Sequence, residues 1–138
     1  MGRILAIDYG LKRTGLAVTD PLKIIASALD TVETKQLNTF LKAYLAKEAV
    51  ETIVLGMPKN LNNQDTDITQ VVKQRKAELS KLFPDIKIVY EDERFTSSMA
   101  QSAILESGVN KKTRRDKSLV DKVSATIILQ SYMMRMGI

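Results

Sequence analysis

Three acidic positions are spaced along the chain so that they could serve a single catalytic site. Four apolar residues lead directly into Asp8, and Gly10 then permits a sharp turn and a close approach of a ligand. A Glu-Asp-Glu run at 91–93 follows another apolar segment, and Asp121 lies in an apolar stretch further along. Carboxylate oxygens are the ligands that Mg²⁺ and Mn²⁺ prefer. These residues are therefore candidates for holding a divalent cation.

Asp8 is expected at the carboxyl end of a central strand. A segment as apolar as the one before it is typical of a strand buried on both faces of a sheet. Open α/β sheets place their sites at this end of the strands. The alternative is an aspartate that caps its own turn, which is common where strands end.

Asp121 is predicted to face the protein interior. At about 100° per residue, Ala125, Ile128 and Tyr132 lie within roughly 40° of it on the helix. An unpaired carboxylate buried there would cost several kcal/mol, and a metal shared with Asp8 and the acidic run would offset that cost. The alternative is an exposed aspartate that favours the positive end of the helix dipole.

The acidic run does not by itself reveal which carboxylate would act. Strand alternation puts Glu91 and Glu93 on one face and Asp92 on the other, so spacing alone does not choose among them. Taken alone, the run is explained better by a solvated strand end.

Composition narrows the possible chemistry. The 138 residues contain no cysteine and no histidine, which excludes disulfides, thiolate or imidazole metal sites and histidine-based hydrolysis. Hydrolysis would then rest on carboxylates, lysines, hydroxyls or a hard metal ion. A net charge of +5 agrees with a polyanionic partner, although many soluble proteins carry as much charge without one. Length predicts one domain over 1–138, and the lack of a leader or a membrane-spanning apolar run predicts a cytoplasmic location without a membrane partner.

The pattern of apolar residues predicts an α/β fold. Three strands are followed by helix, strand, helix, strand, helix and helix, with Thr34 expected to cap the first helix and Pro84 to end the second. The fourth strand is expected to end before a polar loop at 57–64 and the fifth before the acidic run, and a short helix is predicted between Thr96 and Gly108. Strands one to three would form an antiparallel meander, and strands one, four and five would lie parallel in a mixed five-stranded sheet with helices on both faces. Asp8, Gly56 and the acidic run would then share one edge.

Four motifs, in order along nearly the whole chain, resemble one known family. They are Ile-Asp-Tyr-Gly at 7–10, Val-Leu-Gly-Met-Pro at 54–58, Asp-Glu-Arg-Phe-Thr-Ser at 92–97 and Val-Asp-Lys-Val-Ser-Ala at 120–125. The chain resembles the YqgF family, small bacterial relatives of the RuvC resolvases on the ribonuclease H-like fold. Members of that family are described as Holliday junction resolvases and as nucleases that mature the precursor of 16S ribosomal RNA.

The resemblance implies a catalytic, metal-binding triad of Asp8, Glu93 and Asp121 with Mg²⁺ or Mn²⁺. Two departures from the family pattern stand out. The loop at 61–64 lacks the usual glycine, and the small pair after the helix aspartate is Ser124-Ala125 where two alanines are common. The missing glycine affects the conformation of a loop that could touch substrate. The Ser124-Ala125 pair should still allow close helix packing.

Basic residues beside this triad are candidates for holding nucleic acid. Lys12 and Arg94 would neutralise the scissile phosphate, and a basic loop would clamp the backbone further out. A solvated loop is the alternative for these loop residues, which are Lys111, Lys112, Arg114 and Arg115.

Several functional alternatives stay open at this point. The partner would be pre-rRNA or branched DNA, with a homodimer expected for a junction resolvase and a monomer sufficient for RNA trimming. An aspartate-glycine strand followed by a hairpin also opens actin-like ATPases and sugar kinases, although those use two such domains. A non-catalytic module that binds nucleic acid through a vestigial site would have the same sequence features.

Overall fold

A five-stranded mixed sheet forms the centre of the molecule. The computed structural model describes residues 2–57, 67–92 and 117–138, with the backbone course alone at 67, 68, 92 and 117–123. The strand order is β3-β2-β1-β4-β5. The strands are β1 (Arg3–Asp8), β2 (Arg13–Thr19), β3 (Ala26–Glu33), β4 (Val50–Met57) and β5 (Lys87–Asp92).

Strand β1 is central and pairs in both directions. Ile7 lies opposite Leu16 of antiparallel β2 and opposite Leu55 of parallel β4. Strand β4 pairs in turn with parallel β5, and β2 pairs with antiparallel β3. The predicted meander and the predicted parallel trio are both confirmed, and the carboxyl ends of β1, β4 and β5 meet at one edge.

Three helices in the described part of the chain cover the two faces of the sheet. The first two, α1 and α2, follow β3 and β4, and the third, α3, follows β5. They span Leu37–Lys47, Asp67–Leu82 and Lys117–Met136, respectively. None of the helices described is both long enough and apolar enough to cross a membrane.

Alternation along β1 divides the core into two clusters. Leu5 and Ile7 belong to the cluster beneath α1 and α2, whereas Ile4 and Ala6 belong to the cluster beneath α3. Because both faces are covered, both sets of alternating side chains must be apolar. The buried faces of β1 therefore explain why its sequence reads as a continuous apolar run.

Thr34 does not cap a helix, contrary to the prediction. It begins a short 3₁₀ turn, Thr34–Gln36, and α1 starts only at Leu37. Its side chain is buried and is occupied elsewhere, because the hydroxyl donates to the carbonyl of Gly10 and shares a 2.9 Å hydrogen bond with the hydroxyl of Thr14.

Two strands extend further than their patterns indicate. Met57 was expected in a polar loop but is the buried last residue of β4. Glu91 and Asp92 were expected beyond the end of β5 but belong to it, each opposite a residue of β4. The short helix predicted between Thr96 and Gly108 and the basic loop at 111–116 lie outside the described residues.

Candidate active site

Asp8 is the last residue of β1 and marks the candidate site. It pairs with Gly15 of β2 and is partly buried. Ile4 and Ala6 precede it at even spacing and pack beneath α3. Since side chains alternate between the faces of a strand, the carboxylate of Asp8 extends towards the face that α3 covers.

The turn after Asp8 is tightly built. A Cβ added to Gly10 would lie 2.3 Å from the carbonyl oxygen of Arg13, so no other residue fits there without movement of the backbone. The backbone N–H of Thr34 donates to the carbonyl of Lys12 at 2.9 Å, and the Thr34 hydroxyl donates to that of Gly10. This turn leaves Lys12 exposed.

Tyr9 is anchored on the opposite face of the sheet. The guanidinium of Arg75 in α2 lies 5.2 Å from the centre of its ring and donates from Nη2 to its hydroxyl at 3.3 Å. Arg75 also donates from Nη1 to Asn38 of α1 at 2.9 Å. These contacts tie the residue after Asp8 to both helices of that face, which the sequence pattern did not indicate.

Asp121 lies on α3, as predicted. Ser124, Ala125 and Ile128 follow it at three, four and seven residues and are buried. The structure describes the backbone of Asp121 and not its side chain. Glu93 and Arg94 lie outside the described residues, as do the basic loop residues Lys111, Lys112, Arg114 and Arg115. Among the side chains that are described, no three acidic groups come together as a metal site.

Glu91 has a role that alternation alone could not reveal. Among the side chains that the structure describes, it is the only buried carboxylate, with 7% exposure. Ser131 Oγ donates to its Oε2 at 2.7 Å, and Arg135 Nε and Nη2 donate to its Oε1 at 3.0 and 2.8 Å. The hydrogen bonds and the charge of Glu91 raise the pKa of Arg135. Both oxygens of Glu91 are thus engaged by α3.

Sequence comparison places this geometry within a family. The model of the family described as "RuvX: Holliday junction resolvase" matches residues 2–135. A protein of Porphyromonas gingivalis named "Putative pre-16S rRNA nuclease" is 57% identical over 133 residues, which make up 96% of each chain. A protein of Flavobacterium johnsoniae with the same name is 51% identical over the same shares.

Solved structures show the same fold at low sequence identity. The T. thermophilus RuvC structure in complex with a Holliday junction substrate gives a TM-score of 0.59 at 15% identity and covers 99% of this chain and 97% of its own. A Fowlpox virus resolvase in complex with Holliday junction DNA gives a TM-score of 0.60 at 12% identity, with 97% and 98% covered. The sheet order, the helix arrangement and the nearly full-length family match agree, and the chain belongs to the RuvX family, also called YqgF, on a ribonuclease H-like fold.

Proposed function

We propose that this protein is a metal-dependent nuclease that hydrolyses phosphodiester bonds in structured nucleic acid, with maturation of the 5′ end of pre-16S rRNA as its task. The observation that supports it most directly is the position of Asp8, at the carboxyl edge of β1 and on the face covered by α3. The two close relatives carry the name of a pre-16S rRNA nuclease. The proposal includes two predictions: residues 1–138 form a single domain, and the protein is located in the cytoplasm.

The available donors fit a hard divalent cation. Asp8 is a partly buried carboxylate, and the chain has no cysteine or histidine to attract softer metals. In the proposed site, Asp8, Glu93 and Asp121 would hold one or two Mg²⁺ or Mn²⁺ ions. When bound, such an ion supplies activation of the attacking water and charge stabilisation at the leaving 3′ oxygen.

The rest of the proposed mechanism uses side chains of this protein. Asp8 lies between a buried strand and the tight Gly10 turn, so its backbone is held in place before substrate arrives. Lys12 and Arg94 would neutralise the scissile phosphate. Binding of the nucleic-acid backbone is assigned to the basic loop, Lys111, Lys112, Arg114 and Arg115.

The decisive experiment compares wild type with Asp8→Asn on precursor rRNA in Mn²⁺ or Mg²⁺. The substitution keeps the size of the side chain and removes its charge, and we expect cleavage to fall by at least about 100-fold. Asp85→Asn is the matched control, because Asp85 is exposed in the turn before β5. We expect this variant to cleave as wild type does. Equal cleavage by wild type and Asp8→Asn would refute the proposal. Metal-independent binding without turnover would favour a vestigial site.

Cleavage of a Holliday junction is the second candidate. It is favoured by the description of the family and by the likeness in fold to two resolvases solved with junction DNA. The same pair of variants, tested on a four-way DNA junction and on precursor rRNA, separates the two substrates. Symmetric incision of the junction by a dimer, with the rRNA left intact, would select the resolvase.

A further inference from the structure

We propose that Glu91, Ser131 and Arg135 form a clamp that positions α3 against β5, and thereby sets the placement of Asp121 of α3 relative to the carboxyl ends of β1 and β5. This inference rests on the proposed function. Glu91 would be a positioning residue, because both of its oxygens accept hydrogen bonds from α3.

The location of the clamp in the chain gives it this role. Strand β5 ends at Asp92, directly before Glu93, and α3 carries Asp121. These elements are separated by 24 residues, 93–116. Their relative placement therefore depends on tertiary contacts, and Glu91 provides a polar contact between them.

The contact is made at two points one helical turn apart. Ser131 and Arg135 are spaced at i and i+4, so both lie on the same side of α3. A single contact would permit the helix to rotate about that point, whereas two contacts to one carboxylate restrict both rotation and sliding. Asp121 precedes Ser131 by ten residues, or about 15 Å of helix. Because both residues belong to the same helix, a shift of α3 at the clamp would also move Asp121.

Burial makes the contact specific. Glu91 is 7% exposed, and a buried carboxylate without its donors would be strongly unfavourable. The side chain of Arg135 is 55% exposed, so solvent screens its charge, and the contact acts mainly by supplying hydrogen bonds to the buried carboxylate. A buried acceptor with three directed donors therefore favours one placement of α3 over its neighbours.

The experiment measures Mn²⁺ binding by calorimetry without nucleic acid, together with thermal unfolding in EDTA. We expect Glu91→Gln and Ser131→Ala to weaken Mn²⁺ binding about 10-fold to 100-fold at a temperature where both variants are folded, as loss of supporting contacts around metal ligands does. Ser131→Ala keeps the ion pair and provides the test if Glu91→Gln fails to fold. Glu48→Gln is the matched control, because Glu48 is paired with Arg3 at 3.2 Å at the other edge of the sheet.

Combining the variants distinguishes a clamp from a general loss of stability. If the three residues act as a unit, the double variant Glu91→Gln/Ser131→Ala will weaken Mn²⁺ binding by less than the product of the single effects. Arg135→Lys keeps the charge but loses the two-nitrogen contact, and we expect it to bind Mn²⁺ more weakly than wild type and more tightly than Glu91→Gln.

Two results would overturn the clamp while leaving the proposed function intact. One is wild-type Mn²⁺ affinity in folded Glu91→Gln and Ser131→Ala, with Asp8→Asn still inactive. The other is an equal loss of affinity in Glu48→Gln, which would indicate a general effect. If wild type binds no Mn²⁺ and does not cleave, the proposed function itself fails and the clamp fails with it.

Discussion

The two faces of the sheet differ in the size of the side chains that are buried on them. Large aliphatic side chains fill the face beneath α1 and α2, including the fully buried Leu5, Leu41 and Ile53. The face beneath α3 contains several small residues, and Ala6, Ala17 and Ala125 are all fully buried there. Small side chains permit a helix to approach the sheet closely, whereas large ones fill volume.

The polar side chains at the strand ends also differ between the two faces. Asp8 continues the row of Ile4 and Ala6 towards α3, and Glu91 is bonded to α3 directly. On the other face, the end of β1 is occupied by Tyr9, a ring beneath the guanidinium of Arg75. One face therefore contains the larger cluster of aliphatic side chains, and the other places a helix beside the acidic ends of β1 and β5.

The largest expected loss of stability comes from a substitution on the face beneath α1 and α2. Leu41→Ala should destabilise the protein by about 2–5 kcal/mol, because Leu41 is fully buried and the cavity left behind can close only in part. Chemical denaturation measures the loss, with Leu22→Ala as a control at a site that is 62% exposed. Where Leu41→Ala is still folded, we expect Mn²⁺ to bind as in wild type. Weakened binding there would contradict the division between the faces.

A smaller loss is expected beneath α3. Ala125→Leu inserts a large side chain between helix and sheet, and overpacking of this kind costs about 1–3 kcal/mol. Unlike Leu41→Ala, it should also weaken Mn²⁺ binding, because α3 must move away from the sheet. Ala46→Leu, on the exposed side of α1, is the control. A stable Ala125→Leu variant with normal Mn²⁺ binding would mean that close approach is not needed.

The smallest effect is expected at the edge remote from the site. Glu48→Gln removes a partly exposed ion pair with Arg3 and should change stability by no more than about 1 kcal/mol, with the difference reduced by salt. Denaturation at low and high ionic strength measures it. A larger and salt-independent loss would show that this edge contributes more to stability than the division between the faces implies.

Most of the fold could be predicted because its elements have clear periods. The apolar runs of β1 and β4 arise from burial on both faces, and α1 and α3 show helical spacing over several turns. The sheet order followed from the parallel crossovers. Asp8 could be placed at a strand end because it directly follows the apolar run of β1.

The individual polar partners could not be predicted, because they depend on contacts between distant segments. Thr34 looks like a helix cap in its local context, yet its hydroxyl bonds to Gly10 across 24 positions. Glu91 resembles its acidic neighbours until Ser131 and Arg135, 40 and 44 positions away, are brought to it. Spacing predicts the face on which a residue lies and gives no information about its partner.

The order in which the elements are synthesised matters for a site that depends on α3. All five strands precede this helix in the chain, so the sheet can begin to pair on the ribosome while the apolar surface around Ile4, Ala6 and Val54 still lacks its cover. Until α3 has been synthesised, the acidic strand end at Asp8 lacks the helix that covers this face in the folded protein. The proposed nuclease would therefore gain its site only when α3 packs, and a nascent chain without this helix would leave the RNA around it intact.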